Sequence, residues 1–304
     1  MRQEPPAINW HDSPLISASR VVLTEAQLRI PGVRTLGWYD MASAKMALAP
    51  HYHENAFEIT FVTNGHIDFY IGDERSTVRG GDAFLVPPDV VHGTKEVPMS
   101  VGEICWVQLD VSDPDRFLFL NREAAAELIA ALHAVKENCI RTDNGLVTKL
   151  LRRALRTVLD RPADSPPALV ASYLTLCLHL LLGFAGTPSD RMTPDIVRVC
   201  AYIRGHLGGE LTAEELAGVG LLSVSQFKAK FKQQTGTSPR HYVNQQKILE
   251  AERLLRRRGT VTRVAADLGY CSSSYFSVVF KKYTGLTPTE YLSRGGAERK
   301  EGEA

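Results

Sequence analysis

The sequence has little cysteine, and none of it is paired. Cys105, Cys139, Cys177, Cys200 and Cys271 are scattered and form no Cys-x-x-Cys. That argues against a zinc ribbon and a disulfide framework, and it fits a reducing compartment. The opening residues MRQEPPAINW have no apolar core, so no secretory leader is expected. Long apolar runs are scarce as well. The longest, 174–185, is interrupted by His179 and Gly183. It reads as a buried helix too short to span a bilayer, and a cytoplasmic chain with no membrane partner is expected. There is no P-loop, no Gly-x-Gly-x-x-Gly after a strand and no Gly-x-Ser-x-Gly. Nucleotide-cradling and serine-hydrolase readings therefore have no anchor.

What is present is length for two domains and a charge imbalance between them. The 304 residues are 44% hydrophobic and 23% charged, ordinary for a soluble globular protein. The net charge of +1 divides into −6 over residues 1–190, +8 over 191–294 and −1 over 295–304. A basic module joined to an acidic one directs any polyanion to the C-terminal part.

Residues 21–111 read as short strands, including 57–63, 66–71, 83–86 and 104–109, separated by turn pairs such as Asn64-Gly65, Gly72-Asp73 and Gly80-Gly81. This texture predicts an antiparallel barrel after an N-terminal arm, 1–20. Residues 112–186 change to helical periodicity, with Leu146, Leu150, Leu151 and Leu155 on one face. Residues 187–194 read as a linker, 195–294 as helices with tight turns, and 295–304 as a disordered tail. The fold class expected is multidomain α+β: a β-barrel, a helical middle segment and an all-α C-terminal domain.

The C-terminal part contains a duplication. Ser223, Phe227, Phe231, Lys232, Gly236 and Pro239 recur 49 residues later as Ser272, Phe276, Phe280, Lys281, Gly285 and Pro288. Upstream, Leu216-Ala217 recurs as Val264-Ala265, 48 residues on. Each copy has a short helix bearing a small residue, a turn, and a second helix opened by a serine N-cap and closed by glycine. Phenylalanines at i and i+4 pin one face of the second helix to the core. The other face is left polar and basic, and a helix of this width fits the DNA major groove. The units fall at about 212–235 and 261–284, joined by a helix at 240–258. Candidate base readers are Ser225, Gln226, Lys228, Ser273, Ser274 and Ser277, or apolar contacts with thymine methyls. Lys232, Lys281, Lys282 and the run Arg256–Arg258 read as phosphate contacts.

At these residues the chain resembles the AraC/XylS family of transcription regulators. Val264-Ala265, Gly269-Tyr270, Ser274-Tyr275-Phe276, Phe280-Lys281, Gly285, Thr287-Pro288 and Tyr291 carry the resemblance. It departs at Leu221, where the family usually has the turn glycine and Gly220 stands one place early. It departs again at Ala229 and Val278, where many members carry arginine. The resemblance implies two helix-turn-helix units entering successive major grooves, a homodimer formed through the helical segment, and recruitment of RNA polymerase as an activator.

The front half carries His51-x-His53-x4-Glu58, then Gly81-Asp82-x4-Pro87-x4-His92. This resembles the two cupin motifs, whose metal-binding members use three histidines and a glutamate. Imidazole and carboxylate suit a divalent transition metal, although none is required for a regulator. Three readings stand side by side: an effector pocket around His51, His53, Glu58, His92 and Trp106; a metal-dependent cupin enzyme; and a hydrogen-bonded cluster. Trp38, Tyr39 and Gln108 are further candidates for lining the cavity. The expected function is a DNA-binding regulator, not an enzyme, controlled by a small molecule such as a sugar. The alternative is a cupin enzyme fused to a DNA-binding domain. His133 and His179 are expected to pack in the core.

Overall fold

The computed structural model describes residues 7–142, 144–162, 164–187, 192–257 and 259–293. The proposed tail at 295–304, Arg258 and half of the linker at 187–194, residues 188–191, lie outside them. The chain divides into two compact units, residues 1–41 with 47–189, and residues 42–46 with 190–304.

The first unit is a β-barrel with helices. Its strands are β1 Ile8–Asn9, β2 Leu15–Ile16, β3 Arg20–Thr24, β4 Val33–Met41, β5 His51–Tyr52, β6 Ala56–Ile71, β7 Glu74–Arg79, β8 Asp82–Val86, β9 His92–Gly93, β10 Gly102–Asp110 and β11 Cys139–Arg141. Its helices are α1 Glu25–Leu28, α2 Arg122–Ala134, α3 Asn144–Leu159 and α4 Pro167–Phe184. Pairing is antiparallel except between β1 and β5.

Side-chain alternation splits the core in two. On β10, Cys105, Val107 and Leu109 face α3 and α4, while Ile104 and Trp106 face the barrel interior. The pair Asn64-Gly65 is not a hairpin turn, because β6 runs straight through it. Gly65 has φ +85°, and the register with β10 slips there, with Glu103 opposite Asn64 but Ile104 opposite Val62. The extra residue is a bulge. It switches the inward parity, so that Val62 and then Ile67 and Phe69 all reach the interior. One long strand thereby serves β8 and β10 with its first half and β7 and β9 with its second.

Helix α4 is longer than the apolar run suggested. It spans 18 residues and is apolar enough, by length and composition, to cross a membrane. Here it packs through Val170, Ala171, Leu174, Cys177, Leu178 and Leu181 into the core shared with the sheet. His133 and His179 are exposed rather than buried, because each lies on the outer side of an amphipathic helix. The His133 ring still meets Phe57 edge-on at 4.8 Å.

The second unit holds α5 Pro194–Gly205, α6 Ala213–Gly220, α7 Val224–Thr235, α8 Pro239–Arg256, α9 Val261–Asp267 and α10 Ser273–Thr284. The two helix-turn-helix pairs are α6–α7 and α9–α10, each with its own core around Phe227 and Phe231 or Phe276 and Phe280. Ser223 and Ser272 cap α7 and α10, and Gly236 and Gly285 close them at φ 78° and 79°. At the first turn Leu221 itself takes the left-handed conformation, φ 57° and ψ 42°, with 84% of its surface exposed. A leucine there is strained and gains little burial. Leu221→Gly is expected to stabilise this unit by about 0.5–1 kcal/mol in urea unfolding, the relief of strain exceeding glycine's extra chain entropy.

Candidate functional site

Strands β5, β6 and β9 bring four side chains together inside the barrel. His51 pairs in register with His92, and His53 follows one pleat later. Glu58 comes from the inward face of β6, opposite Gln108 of β10. All four are buried, and one donor atom from each lies within 4.8 Å of the others. The ring centroids of His51 and His92 are 4.2 Å apart.

Backbone carbonyls orient the rings. His51 Nδ1 meets Ala49 O at 2.8 Å, His53 Nδ1 meets Trp10 O at 2.9 Å, and His92 Nδ1 meets Val90 O at 3.0 Å. A carbonyl only accepts, so each Nδ1 carries a proton and each Nε2 is turned to the cluster. His53 Nε2 lies 2.9 Å from Glu58 Oε2. His92 Nε2 lies 3.5 Å from Glu58 Oε1 and is buried with no hydrogen bond.

The charges follow from this geometry. Burial would lower His53, but its hydrogen bond to Glu58 and the charge of that carboxylate outweigh burial and raise its pKa. Burial would raise Glu58, yet the adjoining His53 and His92 hold its carboxyl well below the usual range. Burial, then repulsion from His92, pushes His51 down to about 4. The cluster is thus a hydrogen-bonded His53–Glu58 pair with ring nitrogens of His51 and His92 within 4.8 Å of it.

The N-terminal arm reaches the cluster. Asp12 Oδ2 accepts from Trp106 Nε1 at 3.0 Å and from Gln108 Nε2 at 3.1 Å. Gln108 Nε2 also donates to Glu58 Oε2 at 3.0 Å. The Trp106 indole lies over Gly37, where an added Cβ would come within 2.2 Å of the ring. Beside this network a cavity of about 870 Å³ opens, bordered by Asp12, Thr24, Arg34, Thr35, Gln108 and Asp110. Of the network only Gln108 and Asp12 border it; His51, His53, Glu58, His92 and Trp106 do not, and Gln108 links the cavity to the cluster through Glu58. Trp38 does not line the interior. Parity on β4 points it outward, where its Nε1 donates to Glu103 at 2.7 Å. Tyr39 packs on the inner side with Trp106. Sequence reasoning missed Trp10 and Asp12, which carry no motif and act on partners 43 to 96 residues away.

The reading helices sort the other candidates. Ser225, Lys228, Lys232, Ser274, Lys281 and Lys282 are exposed. Gln226 is exposed too, but its Oε1 is occupied by the Ser223 backbone N–H and hydroxyl in a capping box. Ser273 and Ser277 are half-buried, and Ser277 Oγ donates to Ser273 O at 2.8 Å. Among the described residues of the arginine run, Arg256 Nε donates to Tyr291 Oη at 2.6 Å.

Comparison with known proteins agrees with this division. Residues 216–294 match the helix-turn-helix domain family and residues 38–105 the cupin domain family. The HTH-type transcriptional regulator YobQ of Bacillus subtilis is 27% identical over 221 residues, 71% of this chain and 78% of that protein. The HTH-type transcriptional activator RhaS of Klebsiella pneumoniae is 23% identical over 214 residues, covering 68% and 74%. A solved DNA-binding transcriptional dual regulator of Escherichia coli K-12 is 31% identical over 36% of this chain and 99% of its own, with a TM-score of 0.33. The chain thus carries a cupin-type domain ahead of an AraC-type helix-turn-helix domain.

Proposed function

We propose that this chain binds double-stranded DNA through α7 and α10 and regulates transcription in response to a small molecule held by the barrel. The observation that carries this reading is the duplicated unit. Two phenylalanine-pinned helices each turn an exposed, serine- and lysine-bearing face outward, and the domain around them is basic. Full-length protein titrated with duplex is expected to lose affinity steeply with salt, because neutralised phosphates release counterions. Lys281→Ala should reduce the slope of log affinity against log salt by about 1. A flat salt response would sink the reading.

The effector site is the region around His51, His53, Glu58, His92 and Trp106, together with the adjoining cavity. Its carboxylates, threonines and Arg34 suit a compact, hydroxyl-rich ligand such as a sugar. Such a ligand acts by preferring one arrangement of the protein over another, which changes DNA occupancy. With DNA held upstream of a promoter, recruitment of RNA polymerase makes the regulator an activator. A homodimer is supported by α4, whose outer side exposes Leu169 and Leu176, seven positions apart and away from its buried face.

The cluster also fits a divalent transition metal. Three Nε2 atoms and one carboxylate converge, second partners fix each ring, and the buried Nε2 of His92 makes no hydrogen bond. A metal there would replace the proton shared by His53 and Glu58 and stiffen the pocket. The same donor set keeps the alternative of a cupin enzyme in view. In that case His53→Ala abolishes a metal-dependent turnover and leaves DNA binding intact; for a regulator, no turnover accompanies metal binding.

A further inference from the structure

We propose that α10 reads its half of the DNA site through the 5-methyl groups of thymine, using Val278 and Tyr275. This rests on the DNA-binding reading above and adds the chemistry of recognition. Val278 is 67% exposed and Tyr275 50% exposed, three positions apart and therefore on one side of the helix. A β-branched residue is a poor choice for an exposed helix interior. Neither belongs to the apolar cluster that anchors α10 through Phe276, Val279 and Phe280. Tyr275 is steadied instead by Tyr270, with ring centroids 6.1 Å apart.

The polar alternatives on the same helix are curtailed. Ser277 spends its hydroxyl proton on Ser273 O, and Ser273 is half-buried. That leaves Ser274 as the one exposed serine beside Val278 and the ring of Tyr275 within the first two turns. Lys281 and Lys282 follow one turn after Val278, both exposed. An apolar spot bordered by two ammonium groups suits a polyanion that carries small alkyl groups better than an apolar protein surface. In the major groove the C5 methyl of thymine is the alkyl group that unmodified bases present. The equivalent positions of α7 hold Gln226, Lys228 and Ala229 where α10 has Tyr275, Ser277 and Val278. The duplicated helices therefore read by different chemistry, α7 through polar groups and α10 through methyl contact.

The test uses full-length protein and a random duplex library to select a preferred site. That duplex is then resynthesised with each thymine replaced in turn by deoxyuridine, which removes only the methyl. One or two replacements within a single half-site are expected to weaken binding about fourfold each, the value of one buried methyl. With Val278→Ser combined with Tyr275→Ser, both at exposed positions, thymine and uracil should bind equally at those places. Sensitivity to changes in the other half-site should persist, which shows that the variant is folded. Equal affinity for thymine and uracil throughout, a selected site with no thymine in either half, or discrimination undiminished in the double variant would overturn the proposal. Failure to select any preferred duplex would instead remove the DNA-binding reading beneath it.

Discussion

Zinc added to chelator-treated protein is expected to raise the melting temperature of the barrel unit. A ligand that binds only the native state at a hundredfold over its dissociation constant stabilises by about 2.7 kcal/mol. For a unit of this size that is roughly 5–10 °C. The reason lies in the interior of the barrel. His51, His53, Glu58 and His92 hold their donor atoms within 4.8 Å of one another, and carbonyls of Ala49, Trp10 and Val90 hold the three rings. The geometry is already assembled, so little ordering offsets the metal bonds. His53→Ala and Glu58→Gln should each abolish the shift.

The pH dependence has a definite sign. A metal must displace the proton that His53 shares with Glu58, and the folded pKa of His53 lies above its ordinary 6.5. Zinc affinity is therefore expected to be high above that raised pKa and to fall as pH drops through it. His51, held down to about 4, stays neutral throughout that window and adds no proton of its own. A melting temperature indifferent to zinc, with no bound metal by elemental analysis, would leave the hydrogen-bonded His53–Glu58 pair as the occupant.

Much of the architecture was legible because its signals are local. Phenylalanines four apart, a serine before them and a glycine after them define each reading helix within a dozen residues. The duplication then states the same unit twice, and the helix bounds agree to within a residue or two. The His-x-His and the later His92 were legible from spacing, because strand pleating aims alternate residues to one side. What failed to show was long-range or ambiguous. Asn64-Gly65 is a common hairpin signature, and only pairing to β10 reveals that it marks a bulge within one strand. Trp38 and Trp106 look alike in sequence, but the pleat sends one outward to Glu103 and the other inward over Gly37. Asp12 lies in an arm whose partners sit on β10, with no periodicity to connect them.

Lys247 is the most consequential residue of this kind. In sequence it is one more lysine on a polar helix. In the structure its Nζ is drawn inside, 2.8 Å from Leu268 O at the end of α9 and 3.4 Å from Gly209 O ahead of α6, beneath the Tyr270 ring at 5.4 Å. Burial lowers its pKa. One ammonium on α8 thus joins the two helix-turn-helix units. The backbones also touch there, since an added Cβ on Gly269 would lie 2.4 Å from Gly208 O, and Leu207 packs into both cores. Lys247→Met keeps the length of the side chain and removes its donors, leaving two carbonyls without that partner. A loss of about 2 kcal/mol in the stability of the second unit is expected, within the range for unsatisfied buried groups. Gly269→Ala should cost more, since φ +70° and the Gly208 carbonyl both oppose a side chain. The effect on DNA follows from where the joint sits. The reading helices keep their own phenylalanine cores, so each retains its affinity for a single half-site. Their mutual placement relaxes, so the advantage of binding both halves on one duplex shrinks. Lys247→Met should therefore weaken binding to a two-half duplex by tenfold or more, and flatten the dependence on half-site spacing, while barely changing binding to an isolated half-site. Equal losses on both kinds of duplex would mean that the lysine serves stability alone.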